Sequence, residues 1–117
     1  MSSYDTIELC NKGGVFMFLD KLKTDLKEYQ PLFIGEETAF RSSIMIPLVQ
    51  VNEEWHILFQ VRSLTMRSQP GDISFPGGRI DPTDASPMDA AIRETHEEFG
   101  VDPSGINVLG QLSPFIA

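Results

Sequence analysis

The sequence predicts an α+β fold in a single domain of 117 residues, and three stretches carry that reading. Residues 15–29 repeat apolar positions at helical spacing, residues 42–62 hold two strand-like runs around a polar connection, and residues 87–99 form a helix marked at both ends. A chain of this length buries roughly 65% of its unfolded surface, enough for one core. Hydrophobic residues at 41% and charged residues at 22% exclude a wholly disordered chain.

The elements follow in order. "VFMFLDKLKTDLKEY" sets Leu19, Leu22, Leu26 and Tyr29 on one face of an amphipathic helix with charges between them. "PLFIGEETAF", with Pro31 and Gly35, is a connection that separates an N-terminal helical segment (1–40) from the remainder of the domain (42–117). "SSIMIPLVQV" and "WHILFQVR" are strands flanking Asn52, Glu53 and Glu54, a short polar link that suits a hairpin, and Pro47 favours an edge or a bulge. His56 reads as a strand surface residue rather than a ligand. "DISF" is a third short strand closed by a turn at Pro76, Gly77 and Gly78, and "INVLGQL" is a fourth. Helix 87–99 is capped by Ser86 with Asp89 three residues on, starts with Pro87 and stops at Gly100. Helical geometry puts Met88, Ile92, Thr95 and Phe99 on one face, expected to meet the core. Ala90, Glu94, Glu97 and Glu98 fall on the opposite face, expected to point away from it.

A net charge of −8 and a sequence pI near 4.5 argue against a broad electrostatic footprint on nucleic acid or anionic lipid. Polyanion binding would need local cations, and four of the five arginines (Arg62, Arg67, Arg79 and Arg93) lie between 62 and 93. Arginine's rigid fork suits phosphate oxygens, although ordinary surface cations explain them equally well. The single cysteine, Cys10, forbids an intrachain disulfide and removes thiolate zinc sites. "MSSYDTIELC" lacks a basic signal-peptide start, and "VFMFL" is too short to span a bilayer. The expectation is a cytoplasmic protein with no membrane or nucleic-acid partner.

Within "RETHEEFG", Glu94, Glu97 and Glu98 occupy positions i, i+3 and i+4, where like charges repel by roughly 0.2–0.5 kcal/mol per pair. A solvated acidic face is the simplest account. Against it stand the preceding strand, the Pro-Gly-Gly stretch that lets backbone approach a ligand, and the further oxygen donors Asp81 and Asp84. An all-oxygen set joined only by His96 suits Mg²⁺ or Mn²⁺ rather than zinc. A zinc-protease helix would need a second histidine four residues after His96, where Gly100 stands.

"RETHEEFGV" at 93–101 resembles the second half of the Nudix hydrolase box, with Thr95 at an aliphatic place. The first half departs from the pattern twice, having Asp84 where the box has glutamate and one extra residue before Arg93. Upstream, "LFQVRSLTMRSQPGDISFPGG" is similar to the signature of the coenzyme A pyrophosphatase branch: Arg62, Ser63, Arg67, Gly71, Phe75, Pro76, Gly77 and Gly78 match in register. Ile73 replaces a valine and Gln60 stands at a threonine place. The resemblance covers residues 42–112. It implies the Nudix fold, an α/β/α sandwich with a mixed sheet, and a divalent cation relieving the carboxylate repulsion. Glu94 and Glu98 would then be metal ligands, and Glu97 a third ligand or the group holding the metal's water, hence a catalytic residue. Arg93 would orient the carboxylates, and Arg62 and Arg67 would contact substrate phosphates beside the glycine backbone at Gly77 and Gly78. A fold salt bridge with a loop acid is the alternative for either arginine.

The implied reaction is hydrolysis of the pyrophosphate of coenzyme A to 3′,5′-ADP and 4′-phosphopantetheine. Two other readings stay open: hydrolysis of ADP-ribose or another nucleoside diphosphate derivative, and a non-catalytic module that binds a nucleotide or a protein. Family members continue well past the strand after the box, whereas this sequence stops at "LSPFIA". The expectation is therefore a domain truncated at its C-terminal end. Its strand near 107–112 would have few partners, leaving a marginally stable chain or one that self-associates, in the simplest case as a homodimer.

Overall fold

Helix α1 spans Gly13–Glu28, close to the expected bounds. Leu19 is buried while Leu22 and Leu26 are half-buried, so three of the four stripe positions read from the sequence turn inward; Tyr29, the fourth, follows the helix and is 43% exposed. The computed structural model describes residues 13–31 and 41–114; Cys10, the connection around Gly35, and Phe115 with Ile116 lie outside the described residues. Six short strands follow: β1 (Ser42–Ile44), β2 (Leu48–Val51), β3 (Glu54–Ile57), β4 (Gln60–Val61), β5 (Ile73–Ser74) and β6 (Gly77–Arg79). Helix α2 (Pro87–Phe99) and a 3₁₀ turn (Pro103–Gly105) complete the order. The class is α+β.

Pairing is antiparallel in three two-stranded ladders, β1 with β6, β2 with β3 and β4 with β5. The parallel pairing that a mixed sheet needs does not occur among the described residues. The expected first strand is divided at Pro47. Proline has no N–H to donate, but its carbonyl still accepts from Leu58 N at 3.0 Å, so the break falls where the chain leaves β6 for β3. The hairpin turns at Asn52 and Glu53, both with positive φ (49° and 69°), a two-residue turn whose twist matches that of the flanking strands. Glu54, expected in the turn, begins β3.

Three expectations are corrected. Gly77 and Gly78 are not a closing turn; they form β6, with Gly78 opposite Ser43 and Gly77 opposite Ile44. Side chains would prevent this, because a Cβ on Gly77 would lie 2.3 Å from Ser43 O and 2.7 Å from Ile44 Cα. Second, "INVLGQL" forms no strand. It runs beside α1 rather than along another strand: Gly110 faces Leu26, and just past the two segments the Ser113 and Tyr29 hydroxyls are hydrogen-bonded.

Third, the buried face of α2 is shifted from the one that apolarity predicts: Thr95 is buried as expected and Ile92 and Phe99 are half-buried, but Ala90, expected on the opposite face, is buried too. Ala90, Ala91 and Thr95 are buried, whereas Met88 is 48% exposed. Small side chains let the helix settle against the glycine strand, which the bulkier stripe of Met88, Ile92 and Phe99 would hold away. Ser43 Oγ donates to Pro87 O at 2.6 Å, tying β1 to the start of α2, and the buried Thr95 hydroxyl is satisfied by Ala91 O at 2.7 Å. Glu94 consequently lies on the face that meets the strands, not on the one turned away.

The ends of α2 are as expected. Ser86 accepts from Asp89 N, a cap worth about 1 kcal/mol, and Gly100 closes the helix in the left-handed region at φ 69°. In the following turn Asp102 accepts from the Ser104 hydroxyl and backbone N–H, which together hold its carboxyl below the usual carboxylate range. No helix among the described residues is long and apolar enough to cross a membrane.

Gly77→Ala is expected to lower the unfolding free energy by about 1–3 kcal/mol or more, because the new methyl meets the β1 backbone and that backbone must shift. Urea unfolding of variant and parent checks it; equal midpoints would show that β1 yields without cost.

Candidate active site

The carboxylates of α2 sit where the β1–β6 ladder presents bare backbone. Gly78 is the point of closest approach: a Cβ there would lie 2.5 Å from Glu94 Cδ and Oε1. Its missing side chain leaves the space that the Glu94 carboxylate fills, and Glu94 is only 17% exposed. One turn further along, Glu98 accepts from Gly77 N at 2.9 Å through Oε2 and from Gln60 Nε2 at 3.0 Å through Oε1. Glu97 points outward, with its side chain 55% exposed.

Arg93 ties this face to the loop before the helix. Its Nε and Nη2 each donate to an Asp84 oxygen at 2.9 Å, a two-pronged pair, and Nη2 also donates to Arg79 O at 3.1 Å. Nη1 donates to Glu94 at 3.0 Å and to Glu97 at 3.3 Å, and Asp81 stands 3.6 Å from Nη2. Asp84 is nearly buried, and its second role is local: it accepts from Asp81 N at 2.8 Å, which closes the loop. The Arg93 guanidinium, helped by that backbone N–H, holds the Asp84 carboxyl below its ordinary range, and Asp84 in turn strengthens the proton affinity of Arg93.

The expected residues divide into two groups. Arg93, Glu94, Glu97 and Glu98 are brought together, with Gly77 and Gly78 beneath them. Arg62 and Arg67 make no ion pair with these carboxylates. Arg62 follows β4, its N–H donating to Asp72 O at 2.8 Å, and Arg67 stands in the exposed loop between β4 and β5. Arg62 Nε is buried with no hydrogen-bond partner among the described residues. Two contacts escape sequence reading, that of Asp84, expected as an oxygen donor beside the carboxylates, with Arg93 and that of Gln60 with Glu98. Asp84 anchors Arg93 across a loop whose closure no periodicity reveals. Gln60 reaches Glu98 from a strand 38 positions away; the only signal was its departure from threonine in the signature.

Among the described residues no three His, Cys, Asp or Glu side chains are grouped to hold a metal. As they stand, Glu94 and Glu97 accept from Arg93, and Glu98 accepts from Gly77 N–H and the Gln60 amide. The donors nevertheless fit a hard divalent cation in kind, being carboxylate oxygens at i, i+3 and i+4 with spare lone pairs and an outward-facing Glu97. An all-carboxylate set of this kind suits a hard cation better than zinc, which favours nitrogen and sulfur ligands.

A helix carrying Arg-Glu-x-x-Glu-Glu over a glycine strand defines a class of hydrolases, and comparison with known proteins agrees. A family model described as the NUDIX domain matches residues 39–117, and the chain belongs to the Nudix family. It is 42% identical over 74 residues to NudL of Enterobacter sp. (strain 638), itself described as an uncharacterized Nudix hydrolase, covering 63% of this chain and 38% of that protein. It is 35% identical over 74 residues to mouse peroxisomal coenzyme A diphosphatase NUDT7, covering 63% and 31%. To Nudix hydrolase 3 of Caenorhabditis elegans it is 35% identical over 106 residues, covering 90% and 44%. The chain thus spans less than half the length of these relatives. Nudix hydrolases act on small nucleotide derivatives and generally use Mg²⁺ or Mn²⁺.

Asp84→Asn separates the anchor from the rest. Because the folded pKa of Asp84 lies below its unfolded value of about 3.9, the carboxylate contributes stability in full above about pH 4, and this is lost as pH falls through the folded value. Parent and variant should therefore differ in urea midpoint at pH 7 and converge toward pH 2. A gap independent of pH would contradict the Arg93 pairing.

Proposed function

We propose that the protein hydrolyses the pyrophosphate bond of coenzyme A or one of its derivatives, giving 3′,5′-ADP and 4′-phosphopantetheine. The observation that carries this is the joining of two motifs on one surface: the glycines ending the signature "RSLTMRSQPGDISFPGG" are the strand on which Glu94 and Glu98 rest. The likeness to the mouse coenzyme A diphosphatase supports the same substrate class.

Glu94, Glu98 and Glu97 would hold the divalent cation, which when bound offsets charge on the bridging phosphates and eases ionisation of the attacking water. Water adds to one phosphorus, and the bridging oxygen leaves with the other, so one phosphoanhydride becomes two phosphate monoesters. Arg62 and Arg67 would supply charged N–H donors to the substrate's phosphates, including the 3′-phosphate of coenzyme A. Arg93, fixed by Asp84, orients Glu94 and Glu97 without touching substrate. Glu97, with its side chain 55% exposed, would accept a proton from water.

Glu98→Gln should lower kcat by roughly two orders of magnitude or more in a chain that still folds, since it removes one anionic ligand at constant shape and gives up one accepted hydrogen bond. Undiminished turnover would refute the assignment. Arg62→Ala should raise KM for coenzyme A more than for dephospho-coenzyme A. Mass spectrometry of the products from coenzyme A, dephospho-coenzyme A and ADP-ribose fixes the substrate, and preferential cleavage of ADP-ribose would overturn it.

A further inference from the structure

We infer that Gln60 is a positioning residue for Glu98: its side-chain amide sets the carboxylate orientation on which cation binding depends. The inference rests on the proposed role of Glu98. Glu98 sits in the last turn of α2, with its backbone constrained only from one side by the helix. Left alone, an exposed glutamate there samples several rotamers and meets repulsion from Glu94 one turn earlier. Two donors from different strands remove that freedom. Gly77 N–H, on β6, takes Oε2 at 2.9 Å, and Gln60 Nε2, on β4, takes Oε1 at 3.0 Å.

The amide is itself restrained. Its nitrogen lies 3.4 Å from Ser74 Oγ and 3.5 Å from Phe75 O, the long contacts of the facing β5 strand, and Ser74 is the register partner of Gln60. Stacking of Phe59 on Phe75, with centroids 4.6 Å apart, fixes the two strands beside that amide. Each carboxylate oxygen accepts one neutral donor and keeps a lone pair, so Glu98 is oriented without being neutralised. Hydrogen-bond partners of this kind typically affect metal affinity 10- to 100-fold when removed. The chain departs from its branch signature at this position, and the shorter hydroxyl of threonine differs from the amide in both reach and donor number.

The test is Mn²⁺ binding measured by electron paramagnetic resonance, without substrate, on the parent, Gln60→Met, Gln60→Ala, Glu98→Gln and the Gln60→Met/Glu98→Gln double variant. Thermal melts on the same samples report folding. Gln60→Met keeps the bulk of the side chain and removes its donors, so it should weaken Mn²⁺ binding about 10-fold with little change in melting. The double variant should bind no more weakly than Glu98→Gln alone, because the amide acts only through Glu98. Val61→Thr, on the same strand with its side chain exposed, should bind as the parent does. Unchanged binding by both Gln60 variants, with binding lost in Glu98→Gln, overturns the role of Gln60 and spares that of Glu98. Additive losses in the double variant overturn it too. Parent-like binding by Glu98→Gln overturns the metal assignment and the inference together.

Discussion

One guanidinium joins the loop, the strand and the helix that make up the site. Arg93 has five N–H donors in a fixed plane, and the structure uses them in two directions, toward the Asp84 carboxylate and Arg79 carbonyl on one side and toward Glu94 and Glu97 on the other. A lysine could satisfy one of these directions but not both at once. The arrangement also resolves the electrostatic difficulty of the helix. Three glutamates within a turn repel one another, and a cation in their midst converts part of that repulsion into attraction. In this structure the cation is Arg93, itself screened from solvent by its partners.

Placing that guanidinium depends on how closely α2 approaches the strands. The approach is set by absences of side chain: Gly77 and Gly78 in β6 and Ala90 and Ala91 in α2. A methyl at Gly77 would strike the β1 backbone, and one at Gly78 would strike the Glu94 carboxylate. The two glycines therefore do different things. The first allows the ladder to form; the second leaves the ladder's face open to a charged group that would otherwise be displaced.

The exposed carboxylate edge and the two signature arginines are held by separate parts of the fold. The α2 cluster belongs to the β1, β6 and helix unit, whereas Arg62 and Arg67 belong to the loop between β4 and β5. Gln60 is the contact that crosses from one unit to the other, through Glu98.

The sequence by itself determined what local chemistry decides. Ser86, Pro87 and Gly100 bounded α2 because capping and left-handed closure involve only neighbouring residues. Leu19, Leu22 and Leu26 marked the packed face of α1, and Asn52 with Glu53 marked the hairpin. The residues "RETHEEFG" and "SFPGG" pointed to the family for the same reason, being contiguous signatures. Tertiary structure decided the rest. Apolarity placed Met88 and Ile92 against the core, but the helix buried Ala90 and Ala91, leaving Met88 exposed and Ile92 half-buried, because the small side chains allow close approach to the glycine backbone. Glycines that read as a turn became a strand once β1 lay opposite them. The bonds of Asp84 to Arg93 and of Gln60 to Glu98 span 9 and 38 positions, and no periodicity encodes them, since they exist only after separate elements have been packed together.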